Sequence, residues 1–276
     1  MEPHRALEHI TRLVRRVFAS LLAGVLLASA GSVSAQTDLS LVAKWNLTGN
    51  VLDTPVDVVT LFGETLPGGP TIPGVTNRVV SVWKWLVDPL IPACTSGCWA
   101  FFTPTQTKAQ SDQTARDQGY QPLTTIGPAE GFWVFRTPPG STTLSVPVQA
   151  GAPFSYRSQF NPAGKHFSDL KKNTWHLIAQ SEALSASEFN LAVNLSPPQP
   201  NFVPTTNFVT LWAWDAVTQR WYFYAPTVEA APNPGSRFGE PVGLPGVTLY
   251  CTDNNLLDFT NAGKMLGPNT GFWVRR

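Results

Sequence analysis

Val82-Trp83-Lys84-Trp85 returns later in the chain as Leu211-Trp212-Ala213-Trp214, and Gly131-Phe132-Trp133-Val134 returns as Gly271-Phe272-Trp273-Val274. Aromatic residues two apart, with β-branched and apolar neighbours, read as strands, because side chains of a strand alternate between its faces. The repetition extends outward in both directions. Trp45-Asn46-Leu47 matches Trp175-His176-Leu177, and Trp99-Ala100-Phe101-Phe102-Thr103-Pro104 matches Trp221-Tyr222-Phe223-Tyr224-Ala225-Pro226. All ten tryptophans pair in order, five to each half. Recurrence at a long fixed period marks repeated structural units. The chain therefore reads as two tandem modules, residues 36–146 and 147–276, each strand-dominated α+β with a short capped helix and an antiparallel aromatic-rich sheet.

The spacing between partners locates the insertions. It is 129 positions at Trp85 and Trp214, 122 at Trp99 and Trp221, and 140 at Trp133 and Trp273. The first module thus carries extra residues around Cys94 and Cys98, and the second carries more between Trp221 and Trp273, in the Pro-rich stretch from Pro232 to Pro245. Insertions settle in surface loops, where binding differences accumulate. The helix of the first module is expected to begin with Thr54 as N-cap, Pro55 at the first helical position and Asp57 three residues after the cap. In the second, Ser185 and Glu188 form a capping box, which makes Asp57 and Glu188 matched carboxylates. A further exposed helix is expected over Thr107–Gln118 of the first module only.

Residues 1–35 read as a secretory signal peptide. Arg12, Arg15 and Arg16 precede an uncharged apolar run from Val17 to Gly31, and Val33-Ser34-Ala35 places small residues at the cleavage positions. Export places the protein in the periplasm, at the cell surface or outside the cell, with no membrane span after cleavage. Charged residues make up only 13% of the chain and the net charge is +1, so no electrostatic footprint for nucleic acid is present. An oxidising compartment permits a disulfide. Three cysteines allow three single pairings. Cys94 and Cys98, in one loop with Gly97 between them, are the favoured pair, and Cys251 is left over.

The motifs together resemble an uncharacterised secreted module of proteobacteria with Trp-Asn-Leu openings, Trp-x-Trp cores followed by Phe-Tyr-Ala-Pro, and Gly-Phe-Trp-Val endings, often in pairs. The resemblance covers most of residues 44–276 and implies a cell-envelope or extracellular setting. It carries no activity and no catalytic residues.

The tryptophans admit two roles. Exposed indoles stack on sugar rings; buried ones fill small β-rich interiors. Since all ten are matched, the shared fold accounts for them as core: Trp45, Trp83, Trp85, Trp99, Trp133, Trp175, Trp212, Trp214, Trp221 and Trp273. Unmatched or loop-borne aromatics are then the candidates for ligand contact: Tyr120, Phe154, Tyr156, Phe202, Phe238 and Tyr250. No catalytic set emerges. Asp88, Glu130, Asp215 and Glu240 lie in or beside loops, but nothing singles out the close pair that glycoside hydrolysis needs. No Gly-x-Ser-x-Gly elbow accompanies His166 and His176, serines being scattered through loops, and His176 stands where the first module has Asn46. No cofactor and no metal are expected. The expectation is a non-enzymatic exported protein that binds a surface polysaccharide or an envelope protein, duplicated weak sites gaining avidity where both engage one polymer. A structural scaffold without its own ligand and a secreted glycoside or other hydrolase are the alternatives.

Overall fold

A computed structural model describes residues 38–65, 78–144, 151–156, 166–193, 207–229, 246–259, 261–268 and 270–276. The expected signal peptide, the Pro-rich stretch from Pro232 to Pro245, Phe202, Phe238 and Glu240 lie outside these residues. The first module contains β1 (Leu39–Leu41), β2 (Lys44–Gly49), β3 (Val56–Asp57), α1 (Val58–Phe62), β4 (Val79–Leu86), β5 (Cys98–Phe102), α2 (Lys108–Asp117), β6 (Gln121–Pro122), β7 (Thr125–Ile126), β8 (Gly131–Arg136) and β9 (Thr142–Leu144). The second contains β10 (Trp175–Ala179), α3 (Ala186–Ala192), β11 (Thr210–Asp215), β12 (Arg220–Tyr224), α4 (Pro226–Glu229), α5 (Gly246–Asp253), β13 (Leu257–Asp258) and β14 (Gly271–Arg275). Both modules belong to one unit, Ala35–Arg276. No helix among the described residues is long and apolar enough to cross a membrane.

Each module is built on a five-stranded sheet, and the two sheets share one strand order: β2-β8-β4-β5-β6 and β10-β14-β11-β12-β13. Strand directions agree as well, antiparallel throughout except for the last pair, β5 with β6 and β12 with β13. The register also coincides. Trp83 lies opposite Trp133 and Trp212 opposite Trp273; Trp85 lies opposite Trp99 and Trp214 opposite Trp221. The fold is strand-dominated α+β with two similar modules.

The alternation within each strand sorts two apolar layers. In the first module Val82, Phe102, Phe132 and Val134 face a core shared with Leu39, Leu41, Phe62 and Ile126. In the second, Leu211, Tyr224, Phe272 and Val274 meet Phe167, Phe189, Val193 and Phe208. The opposite face of each sheet carries the tryptophans, and this corrects the sequence reading. Eight of them are half-buried, while Trp45 and Trp175 are 38% and 37% exposed, so none lies in either fully buried core. The reason is that both faces of these strands are covered, one by the module's own helices and the other by the partner module.

The helices follow their caps. Ser185 accepts from Glu188 N, and the Glu188 side chain returns to the cap, as the capping box requires. In the first module the cap is Asp57, which accepts from Thr60 N at 2.8 Å, and not Thr54. Val56 and Asp57 pair with β7, which keeps the chain extended until the cap. Asp57 therefore corresponds to Ser185 and not to Glu188, since each follows a residue bridged to the segment before the final strand. Helix α2 begins at a Thr107–Gln110 capping box. The second module has its own equivalent, α5, which the sequence reading missed. The match is close: Tyr120 N donates to Ala115 O at 2.8 Å, and Leu256 N donates to Cys251 O at 2.8 Å.

The modules meet through a reciprocal set of contacts. The Trp85 indole N–H donates to the Trp175 carbonyl at 3.0 Å, and the Trp214 indole N–H donates to the Trp45 carbonyl at 3.1 Å. Trp133 packs on Trp214 and Trp221, with ring centroids at 5.7 and 5.6 Å. Trp273 packs on Trp85 and Trp99, at 5.7 and 5.9 Å. Residue i meeting j while j meets i is the mark of a two-fold relation. The glycine of each Gly-Phe-Trp-Val motif permits the approach. A Cβ on Gly271 would lie 2.1 Å from the Thr48 carbonyl oxygen, and one on Gly131 would lie 2.9 Å from that of Ile178. Residues 151–154 run along the first module, where Phe154 N donates to Val51 O and Asp53 N to Ala152 O.

Cys94 and Cys98 are paired, and their loop closes over the junction. Gly97, at φ +113°, lies against the Trp85 ring, where any Cβ would collide. Lys171 of the second module donates to Thr95 O at 2.6 Å. Cys251 is buried beneath Phe223 and Leu257; burial, aided by Asp258, pushes its thiol up to about 11.

Two predictions follow from the junction. Gly271→Ala lowers stability by about 3 kcal/mol, the upper range for overpacking, read as a shift of the urea midpoint at constant slope; an unchanged midpoint rejects the close approach. Trp85→Phe and Trp214→Phe each cost about 1 kcal/mol for one lost hydrogen bond. An unchanged urea midpoint in either variant rejects that hydrogen bond.

Candidate functional site

The tryptophan faces do not close completely on one another. At the junction Trp85 packs on Trp273 and Trp133 on Trp214, and the ring faces left uncovered line two open grooves. The larger, about 510 Å³, is lined by Trp45, Trp83, Trp99, Tyr120 and Trp133 of the first module and by Trp214, Trp221 and Trp273 of the second. The smaller, about 300 Å³, is lined by Trp85, Trp175, Trp212, Trp221 and Trp273. Five positions recur in both: Trp45 with Trp175, Trp83 with Trp212, Trp99 with Trp221, Trp133 with Trp273, and Trp214 with Trp85.

Backbone alternation and strand pairing set the indole positions. Neighbouring rings pack edge to face: Trp83 on Trp99 at 6.3 Å and Trp212 on Trp221 at 6.3 Å, Trp45 on Trp133 at 6.0 Å and Trp175 on Trp273 at 6.3 Å. Such packing fixes ring orientation while leaving faces open. Among the described residues the lining is wholly aromatic, with no charged side chain. Polar capacity is confined to the Tyr120 hydroxyl and the indole N–H groups. The Trp83 N–H donates to Ser81 Oγ at 3.0 Å, whereas that of Trp212, its counterpart, finds no hydrogen-bond partner among the described residues. The grooves differ in their walls: Trp221 and Trp273 line both, and Tyr120 lines only the larger. Tyr120 stands 5.0 Å from Trp83, and its structural counterpart is Leu256.

The aromatic residues expected to touch a ligand are dispersed. Tyr120 enters the larger groove. Phe154 is 2% exposed and packed on Tyr156 at 4.9 Å, so it offers no surface to a ligand. Tyr250 is exposed on α5 and stacked on Phe223 at 4.6 Å. Tyr156 packs on Phe167 and Phe189 and borders a separate cleft. The tryptophans that line the grooves are the ones the sequence analysis assigns to the core. A signal existed: Trp-Ala-Phe-Phe and Phe-Trp-Val-Phe are apolar at consecutive positions, the pattern of strands covered on both faces.

The separate cleft, about 530 Å³, lies between the modules and includes Glu130, Tyr156, His166, Asp169 and His176. Its ionisable groups are committed to the fold. Glu130 accepts from Lys84 Nζ at 2.6 Å, and Lys84 also donates to Thr125 O. Asp169 caps the turn at His166. Burial raises the Tyr156 hydroxyl well above its ordinary range, with Glu130 and Asp169 adding to the effect. The other loop carboxylates serve likewise. Asp88 accepts from Leu90 N, and Asp215 from Val217 N, Thr218 N and the Tyr222 hydroxyl. Burial works to raise the Asp215 carboxyl, but the hydrogen bonds from Thr218, Val217 and Tyr222 prevail and hold it below the usual range. Among the described residues no three His, Cys, Asp or Glu side chains gather to hold a metal ion.

His176 supplies a pH dependence. Its Nε2–H donates to the Lys171 carbonyl at 2.9 Å. Burial holds the imidazole below its ordinary value, with Arg276 contributing in the same direction and the Lys171 hydrogen bond opposing. The unfolded imidazole titrates near 6.5, so the unfolded chain takes up the proton first. Stability is full above about 6.5 and declines as pH falls toward the folded value. The urea midpoint of the wild type should drop between pH 7.5 and 5.5 by more than that of His176→Asn, which installs the residue found at this position in the first module. Equal drops reject the assignment. Comparison with known protein families, with curated protein sequences and with solved structures finds no match to this chain.

Proposed function

We propose that this is an exported, non-enzymatic binding protein of the cell envelope or extracellular space, and that its ligand is a neutral polysaccharide laid against the tryptophan grooves. One observation carries the reading: ten matched indoles stand between the sheets, and their faces line two open, uncharged aromatic grooves. A pyranose ring presents C–H groups to such a face, and large rigid aromatic surfaces bind at small entropic cost. The absence of charge from the lining, among the described residues, favours a neutral ligand over an acidic one. The signal-peptide pattern and the motif resemblance support the extracytoplasmic setting.

The scaffold reading has its own support in the reciprocal hydrogen bonds of Trp85 and Trp214, which hold the modules together. It accounts for the indoles at the junction. It leaves unexplained the rims, where Trp45 and Trp175 keep over a third of their surface open.

Retention on a panel of insoluble neutral polysaccharides, read with intrinsic tryptophan fluorescence, tests the proposal. Retention on at least one is expected, with quenching. Trp83→Ala should weaken it about tenfold, the scale of a binding hot spot. Trp45→Ala, at the exposed rim, guards against loss through unfolding. Unchanged fluorescence and no retention across the panel would leave the scaffold reading standing.

A further inference from the structure

Resting on the polysaccharide reading, we infer that the two grooves are halves of one furrow, and that a single linear glycan chain lies along it across both modules. The indoles form two rows, each continuous from the outer end of one groove to the outer end of the other. One row runs Trp83, Trp99, Trp273, Trp175, with successive ring centroids 6.3, 5.9 and 6.3 Å apart. The other runs Trp45, Trp133, Trp221, Trp212, at 6.0, 5.6 and 6.3 Å. Both rows pass the grooves in the same order. Their first two members line only the larger groove, the third lines both, and the fourth lines only the smaller. The larger groove therefore crosses the junction to Trp221 and Trp273, and the smaller begins at those same rings.

Neither module builds a row alone. The first two rings of each row come from the first module and the last two from the second. The steps that cross between modules, Trp99 to Trp273 and Trp133 to Trp221, are no longer than the steps within one. Each crossing is braced by a further indole. Trp85 lies 5.2 Å from Trp99 and 5.7 Å from Trp273; Trp214 lies 5.7 Å from Trp133 and 5.0 Å from Trp221. Edge-to-face packing holds the rings in place before a ligand arrives, so little side-chain freedom is lost on binding.

A chain that fills the larger groove and extends past Trp221 and Trp273 meets the smaller one without leaving aromatic surface. Its second part then binds at the high effective concentration set by the first. Two separate chains would instead compete for the same two rings, which assigns one chain to one protein molecule. The ends are unequal. Tyr120, 5.0 Å from Trp83, adds to the aromatic wall of the larger groove only, so a short oligosaccharide settles there.

Calorimetric titration of the purified protein with cello-, malto- and chito-oligosaccharides, from the disaccharide to the hexasaccharide, tests the inference. Expected for the sugar that binds is one hexasaccharide per protein molecule, held at least about tenfold more tightly than the disaccharide. Trp175→Ala, at the exposed rim of the smaller groove, weakens the hexasaccharide about fivefold, the scale of one contact side chain, and leaves the disaccharide unchanged. Trp45→Ala, at the opposite rim, weakens both. Two hexasaccharides per molecule, a hexasaccharide bound no more tightly than the disaccharide, or a Trp175→Ala variant that binds it as the wild type does overturns the inference and leaves the binding function intact. The first two are read on the unaltered chain, so they stand whether or not a variant folds. Retention on an insoluble polysaccharide with no oligosaccharide bound also overturns the inference alone. Neither retention nor oligosaccharide binding overturns both readings.

Discussion

The structure depends on an exchange between two indoles and two carbonyls. Trp85 and Trp214 each reach across to the strand that opens the other module, at Trp175 and Trp45. A tryptophan that buries its ring must place its single N–H, and here each module satisfies the other's. The exchange works only because the strands approach closely, and the approach is set by Gly131 and Gly271. Beyond those glycines the sequence places Phe132 and Phe272 inward and Trp133 and Trp273 outward. Four residues thus specify contact with the neighbour, filling of the module's own core, interlocking with the neighbour's indoles, and the core again.

Much of this was legible in the sequence. Period-two alternation gave the strands, the matched tryptophans gave two similar modules, and Ser185 with Glu188 gave a helix start. What was not legible was the destination of the aromatic face. A matched indole signals a shared environment, and both a core and an interface between modules are shared environments. Runs such as Trp99-Ala100-Phe101-Phe102 pointed to coverage on both faces, but coverage by what is a long-range fact. The cap at Asp57 was displaced for a similar reason: local preference favours Thr54-Pro55, and pairing of β3 with β7 overrides it. Helix α5 was hidden because Gly246 to Asp253 lacks an N-cap side chain and has polar Thr248 and Thr252 mixed with apolar neighbours.

The site inherits its character from the same layout. An interface made of indoles cannot bury every ring face at its margins, because two twisted sheets diverge away from their line of contact. The grooves are the divergence. They are apolar since the interface is apolar, and paired since the interface is reciprocal. The polar clusters elsewhere serve to hold turns and strands within a module, as Glu130, Asp169 and Asp215 illustrate.

Joining the two modules in one chain changes what sequence variation can do. In an association of two identical subunits, every substitution at the junction is imposed twice, and each must be tolerated against its own image. Here each side varies alone. The Lys84–Glu130 ion pair of one module has Ala213 and Thr270 at the equivalent positions of the other, and the buried Asn46 corresponds to His176. Tyr120 lines one groove, while Leu256, its counterpart, packs against the core of its own module. The covalent link makes asymmetry heritable, so a scaffold with the geometry of a symmetric dimer is free to carry a different specificity on each side.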